Sequence, residues 1–208
     1  MLSISSAIVE DIRKEIPEAR PALIAYYCFN RKDSSKRNVR GLLASLLFQL
    51  GYLSERCWDI LHRLYVTSHD GSEQRSDADL ERCLKSMLEL QKNVPIFVII
   101  DALDECPSAT RTPSARATVL QFVEGLVRSN TSNLFICATS RPDQDIQNVL
   151  NPLTLSRYQI SLHDEQGQIN DINDYIRSVV DVHRAMRTWP GEDRELVITS
   201  LSERADGR

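Results

Sequence analysis

One stretch, FVIIDALDE from Phe97 to Glu105, constrains the fold of this chain more than any other. With Ile96, it places five consecutive apolar residues, rich in isoleucine and valine, directly before three acids. Such a run is typical of a strand that is buried on both faces of a parallel sheet. Ligands of open α/β sheets lie outside the carboxyl ends of the strands, so we expect Asp101, Asp104 and Glu105 to lie at a candidate site.

These acids lie within five residues of one another, which sets the chemistry of the predicted site. Carboxylates crowded beside an apolar strand repel one another and lose hydration, and this is relieved by a bound divalent cation or by protonation of one acid. Magnesium is the expected cation. The alternative is a buried strand that ends in a solvated acidic turn, with Asp101 only capping the next segment. The length and spacing of the pattern favour the functional interpretation.

Other apolar segments alternate between strand and helix patterns along the chain. Leu23–Phe29 and Leu134–Thr139 predict two further buried strands. Helices are predicted over Leu2–Lys14, over Val39–Leu50, from Cys57 to Leu64, from the N-cap Ser76 through Leu88, and from the N-cap Thr112 with Pro113 as first helical residue through Leu126. This alternation predicts an α/β fold in which helices flank a parallel sheet.

Composition and charge exclude several classes of protein. The net charge of −4 over 208 residues gives no electrostatic reason for nucleic acid as a partner. No apolar stretch is long enough to span a bilayer, so no membrane partner is expected. Five widely spread cysteines without a CxxC pair argue against disulfides and zinc, and they fit a cytoplasmic location. The basic turn 31–37 could meet phosphate, but a solvated loop is the preferred interpretation.

A second polar segment, ATSRP, follows the strand predicted to end at Thr139. Thr139, Ser140 and Arg141 are therefore expected at the carboxyl end of a strand parallel to the central one. A guanidinium at that position can reach the γ-phosphate of a nucleotide or the acids of the site. The alternative is that Arg141 pairs structurally with Asp101 or Asp104.

Together these segments resemble the nucleotide-binding NACHT module of fungal NOD-like and nephrocystin-like N-terminal domain proteins, which belong to the STAND class of P-loop NTPases. The resemblance spans nearly the whole chain and also covers EDIRKE, YYCF, RGLLASLLFQL, YQISL (Tyr158–Leu162) and INDINDYIRSVV (Ile169–Val180). It implies a three-layer α/β core of the P-loop NTPase type over residues 1–165, with YQISL as the last strand. Residues 166–208 would begin the helical region that follows the core.

The resemblance also implies roles for the polar residues. Asp101 would hold magnesium, directly or through water, with ATP or GTP as the nucleotide. Asp104 and Glu105 would polarise the attacking water, and Arg141 would sense the γ-phosphate. The other nucleotide-binding positions implied here are Thr139 and Ser140. In the parent protein, the partners would be other copies of the chain or further signalling domains.

One motif of that family does not occur in the sequence, the phosphate-binding GxxxxGK[ST], and the seven glycines are not clustered. In the family this loop directly precedes the helix that corresponds to Leu2–Lys14. We therefore expect a fragment that lacks the first strand, the phosphate-cradling amides and their lysine, and has no turnover alone. A non-enzymatic scaffold or interaction remnant is the alternative. A metal-dependent phosphohydrolase is weaker, because no further acid cluster or histidine pair completes a second metal site.

Overall fold

The computed structural model describes residues 4–16, 22–67, 74–108, 113–161, 166–183 and 185–205. It divides the chain into two compact units, Met1–Leu153 and Thr154–Arg208. The first unit has an α/β architecture, with helices on both faces of a parallel sheet. The boundary expected after residue 165 stays a prediction.

The first unit alternates helices and strands. In chain order it contains α1 (Ile4–Glu15), β1 (Leu23–Cys28), α2 (Val39–Leu53), α3 (Glu55–Val66), α4 (Asp77–Leu90), β2 (Ile96–Asp101), α5 (Ala115–Arg128), β3 (Leu134–Ala138) and α6 (Gln144–Leu150). Short 3-10 turns occupy Ser34–Lys36, Leu103–Glu105 and Asn151–Leu153.

The second unit contains a 3-10 turn at Ser156–Tyr158 and two helices, α7 (Gln166–Val182) and α8 (Gly191–Ala205). These helices pack on each other. Both helices lie within residues 166–208, and the assignment of this range to the helical region after the core stays a prediction. Over the described part of the chain, none of the helices has both the length and the apolar character needed to cross a membrane.

Three parallel strands form the sheet, in the order β1-β2-β3. All residues of the central strand β2 are buried except Phe97, which is partly buried, so the central-strand prediction is confirmed. The register pairs Cys28 of β1 with Asp101, and Ile100 with Ala138 of β3. β3 is an edge strand on which Phe135 remains 51% exposed, so it is less buried than its apolar sequence predicts.

The main core lies between one face of the sheet and the helices α2, α4 and α5. The leucines of α2 recur at helical spacing, and Leu42, Leu46 and Leu50 are almost completely buried. A smaller cluster covers the opposite face, where Val9 of α1 packs with Ile24 and Ile99. Both faces of the sheet are therefore partly removed from water by amphipathic helices.

The predicted N-cap is confirmed for α4, whereas α5 begins at a different residue from the one predicted. Ser76 and Asp79 form the expected capping box at the start of α4. At α5, the predicted start at Pro113 is wrong, because the side chain of Ser114 accepts a hydrogen bond from the amide of Ala117 and acts as the N-cap. The predicted N-cap Thr112 lies outside the described residues.

The predicted strand YQISL does not form over its described residues, 158–161. Tyr158 ends a 3-10 turn, and residues 159–161 have no regular structure. Tyr158 and Ile160 are exposed. A strand requires a neighbouring strand to satisfy its backbone and cover its apolar side chains, and none of the described strands pairs with these residues. Leu162 lies outside the described residues.

Tyr27 connects β1 to the turn before α2, and it makes the stability of this region depend on pH. Its buried hydroxyl donates a hydrogen bond to the carbonyl oxygen of Ser35 at 3.2 Å. Burial, with smaller contributions from the neighbouring Cys106 and Asp33, raises the pKa of Tyr27 from 10.0 to about 12. A raised folded pKa means that the neutral phenol stabilises the fold fully below pH 10 and that this stabilisation is lost as the pH rises towards 12.

We therefore expect Tyr27→Phe to reduce the fall in the free energy of unfolding between pH 10 and 12, compared with the wild type. The matched measurement is the ultraviolet difference titration between the two proteins, which isolates this single phenol among six tyrosines. If the Tyr27 phenol ionises at the same pH in the folded protein as in the unfolded chain, this assignment is wrong.

Candidate functional site

The carboxyl ends of β2 and β3 meet at Asp101 and Thr139. Asp101 is the last residue of β2 and is only 8% exposed. The hydroxyl of Thr139 donates a hydrogen bond to Oδ1 of Asp101 and accepts one from the amide of Ala102 at 3.1 Å. A single hydroxyl therefore holds the carboxylate and the backbone that follows it in one arrangement.

Ala102 turns the chain sharply after the strand. Its φ of 56° places it in the left-handed region, which residues other than glycine, asparagine and aspartate seldom adopt. The amide of Leu103 then donates to the carbonyl oxygen of Thr139 at 3.0 Å, and the 3-10 turn Leu103–Glu105 begins. Leu103 is fully buried, whereas Asp104 keeps access to solvent. The turn at Ala102 thus buries Leu103 while the carboxylate of Asp104 stays accessible.

Asp104 and Arg141 are brought together by the structure. The amide of Arg141 donates to Oδ1 of Asp104 at 3.2 Å, and its guanidinium Nε lies 3.5 Å from Oδ2. The side chain of Arg141 is 84% exposed. The pairing with Asp104 that the sequence left open is therefore present, and the role of Arg141 as a phosphate sensor stays a prediction.

Glu105 and Ser140 have other partners. A carboxylate oxygen of Glu105 accepts a hydrogen bond from the amide of Arg31 at 3.0 Å, and the Arg31 guanidinium donates to the carbonyl oxygen of Asp104 at 3.3 Å. The hydroxyl of Ser140 donates to the carbonyl of the adjacent Arg141. Arg31 therefore belongs to the site rather than to a purely solvated loop, and Glu105 and Asp104 have different neighbours.

Arg116 is, with Arg31, a residue of this site that the sequence did not predict. It is only 2% exposed, and its guanidinium bonds to the carbonyl oxygens of Asp104 at 2.6 Å and Cys106 at 2.8 Å. The same group contacts the carboxylates of Asp143 at 2.7 Å and Asp145 at 3.1 Å. A sequence signal for it exists, because Arg116 occupies a position of the apolar stripe of α5, three residues before Val119 and four before Leu120.

Two thiols report the electrostatics around Asp101. Burial, followed by the negative charge of Asp101, raises the pKa of both Cys28 and Cys137. A raised pKa keeps these thiols protonated near neutral pH, so they do not supply thiolate ligands.

The donor set fits magnesium in one specific way. Among the described residues, no group of three or more His, Cys, Asp or Glu side chains could hold a metal ion. Mg²⁺ is commonly bound through one or two carboxylates, with waters and substrate phosphates completing its shell. Asp101, oriented by Thr139, fits that sparse coordination and does not form a metal cage by itself.

The fold and site define an α/β protein whose acidic and hydroxyl side chains meet at the carboxyl ends of adjacent parallel strands. A family model described as nephrocystin 3, N-terminal, matches residues 3–141, a range that includes Asp101, Asp104 and Arg141. The chain belongs to this nephrocystin 3 N-terminal family. Comparisons with curated proteins and with solved structures found no match. The nephrocystin-like part of the predicted resemblance is thereby confirmed.

Proposed function

We propose that this chain is part of a nucleotide-binding signalling NTPase of the NACHT and STAND type. In this proposal it supplies the acidic and sensor-like segments of the nucleotide site and has no turnover alone. The observation that supports it is the hydrogen bond between Thr139 and Asp101, which joins the ends of two parallel strands at the predicted metal position. The adjacent pairing of Asp104 with Arg141 adds a second polar group on the same edge.

Each residue has a definite part in the proposed site. Asp101 would hold hydrated Mg²⁺, with Thr139 fixing the orientation of its carboxylate. When bound, the ion neutralises charge on the phosphate oxygens of ATP or GTP. Asp104 and Glu105 would accept a proton or hydrogen bond from the attacking water. The exposed side chain of Arg141 would leave Asp104 for the γ-phosphate.

The chain alone is expected to bind nucleotide only weakly. Hydrogen bonds to charged groups contribute about 1.5–3 kcal/mol each, and a glycine-rich phosphate loop supplies several of them. Since the sequence has no GxxxxGK[ST], these contributions are missing. We expect magnesium-dependent nucleotide binding with a Kd of about 1 mM or weaker. Self-association and further signalling domains of the parent protein are the proposed partners that complete the system.

The test is titration of the purified chain with a fluorescent ATP analogue, with and without magnesium. We expect magnesium to strengthen the weak binding and Asp101→Asn to remove that increment. Asp59→Asn is the matched control, because it makes the same change of charge at an exposed position of α3 and should leave the increment intact. An increment with magnesium that is equal in the wild type and Asp101→Asn would contradict the proposal.

A second candidate is a non-enzymatic scaffold that keeps the α/β core without binding nucleotide. It is favoured by the ion pair between Arg141 and Asp104, in which the predicted sensor and a predicted catalytic acid already satisfy each other. The same titration separates the candidates. A scaffold shows no magnesium-dependent binding in any variant.

A further inference from the structure

We propose that Arg116 is the positioning residue of this site. It holds the acid turn after β2 and the sensor segment after β3 in a fixed relation, so that Asp104 faces Arg141. The inference deepens the proposed nucleotide site and rests on it for its functional meaning. The geometry of the buried guanidinium carries it.

Arg116 grips the acid turn through backbone atoms. Its Nε donates to the carbonyl oxygen of Cys106 at 2.8 Å, and a terminal nitrogen donates to that of Asp104 at 2.6 Å. The backbone amide of Arg116 also donates to the carbonyl oxygen of Pro107 at 3.1 Å. Bonds to carbonyls fix the path of the main chain while leaving the carboxylates of Asp104 and Glu105 free for other contacts.

The other terminal nitrogen of Arg116 grips the segment that follows Arg141. It contacts Asp143 at 2.7 Å and Asp145 at 3.1 Å. Asp143 is the N-cap of α6, but its carboxylate makes no capping bond within the helix and binds Arg116 instead. Giving up that local bond, which N-cap aspartates normally make, indicates that the link to Arg116 sets the position of the segment.

The contact between the Arg141 guanidinium and Asp104 is too exposed to set this geometry itself. Nε of Arg141 lies 3.5 Å from Oδ2 of Asp104, and the side chain of Arg141 is 84% exposed. An ion pair of that length is weak at an exposed position, because water screens it. Arg116 is buried, and its planar guanidinium forms hydrogen bonds to both segments at once. A lysine ammonium cannot reproduce that set of bonds. Arg116 therefore adds a buried link between the two segments, beside the hydrogen bonds at Thr139 and at the amide of Arg141.

Two buried thiols provide a test that needs no nucleotide. Cys106 lies in the gripped turn and Cys57 lies in α3, and both are fully buried. We expect Arg116→Lys to raise the alkylation rate of Cys106 by about tenfold through local opening, with little change at Cys57. Arg128→Lys is the control, since Arg128 is exposed and pairs within α5 with Glu124. Peptide mass spectrometry measures both thiols in one sample.

Two results would overturn the positioning role. One is an unchanged rate at Cys106, and the other is a parallel rise at Cys106 and Cys57, which would show only global loss of stability. If Arg116→Lys does not fold, the double variant Asp143→Asn with Asp145→Asn keeps Arg116 and removes its grip on the second segment. There we expect faster amide hydrogen exchange at Arg141 than in the wild type, and an unchanged rate would overturn the proposal.

The alkylation experiment can fail or succeed independently of the nucleotide-binding experiment. A chain that shows no magnesium-dependent nucleotide binding removes the nucleotide site but does not alter the alkylation result. Where the wild type does bind, we expect Arg116→Lys to weaken the magnesium-dependent part severalfold. If Arg116→Lys raises the alkylation rate of Cys106 but leaves magnesium-dependent nucleotide binding unchanged, Arg116 has no role in the nucleotide site.

Discussion

Replacing Leu103 by alanine is expected to lower the free energy of unfolding by about 2–5 kcal/mol, the range found when large aliphatic side chains are removed from well-packed cores. Leu103 is fully buried in the main core although it lies between two acids of the site. Its backbone amide also donates to the carbonyl oxygen of Thr139 at 3.0 Å. The lost side chain leaves a cavity beneath the turn, and the turn cannot close it without breaking that bond.

Urea unfolding of the variant and the wild type measures this effect. Leu90→Ala is the matched control, because the same atoms are removed from an exposed position at the end of α4. We expect the control to change the free energy of unfolding by less than about 1 kcal/mol. Equal effects of the two substitutions would show that the core does not anchor the acid turn.

Gly41→Ala is the second substitution with a large expected effect. A Cβ atom at this position would lie 2.0 Å from the carbonyl oxygen of Ser35 and 2.5 Å from the hydroxyl of Tyr27. The backbone of the turn before α2 must therefore move. That movement strains the cap in which the side chain of Asn38 accepts from the amide of Gly41 at 2.9 Å. We expect destabilisation of about 1–3 kcal/mol, as for other overpacked sites.

Gly125→Ala makes the same chemical change where there is space. Apart from its chain neighbours and the backbone of its own helix, no atom of the described residues lies within 4 Å of a Cβ built at Gly125, in the interior of α5. Alanine is the better helix former there, so we expect stabilisation of about 0.5–1 kcal/mol. Thermal and urea unfolding of both variants compare the signs directly. A stabilising Gly41→Ala would mean that α2 does not lie against the turn at Ser35.

Local patterns predicted the elements whose determinants lie within a few residues. The apolar run before Asp101 specifies a buried strand, and the leucine spacing of α2 specifies an amphipathic helix, because each pattern matches the period of its structure. The capping box at Ser76 is equally local. At α5 the local signal was ambiguous, since Thr112 and Ser114 are both suitable caps and only the backbone arrangement selects Ser114.

Contacts between distant segments were less predictable. The sequence placed Asp101, Thr139 and Arg141 at one edge of the sheet, because parallel strands end together. It did not indicate that Arg31 reaches the acid turn or that Arg116 is buried beneath it, since those contacts depend on loop paths and helix placement. The strand that the resemblance implied at YQISL does not form over 158–161, because none of the described strands pairs with these residues.

The central claim is that Asp101 and the segment after β3 form one site for a magnesium nucleotide. The most direct measurement is a ¹H–¹⁵N chemical-shift titration of the full chain with MgATP, which detects binding in the millimolar range. We expect the amides of Ala102, Leu103, Thr139 and Arg141 to shift together in the wild type and to remain in place in Asp101→Asn. Shifts confined to other surfaces, or the same shifts in Asp101→Asn, would contradict the claim.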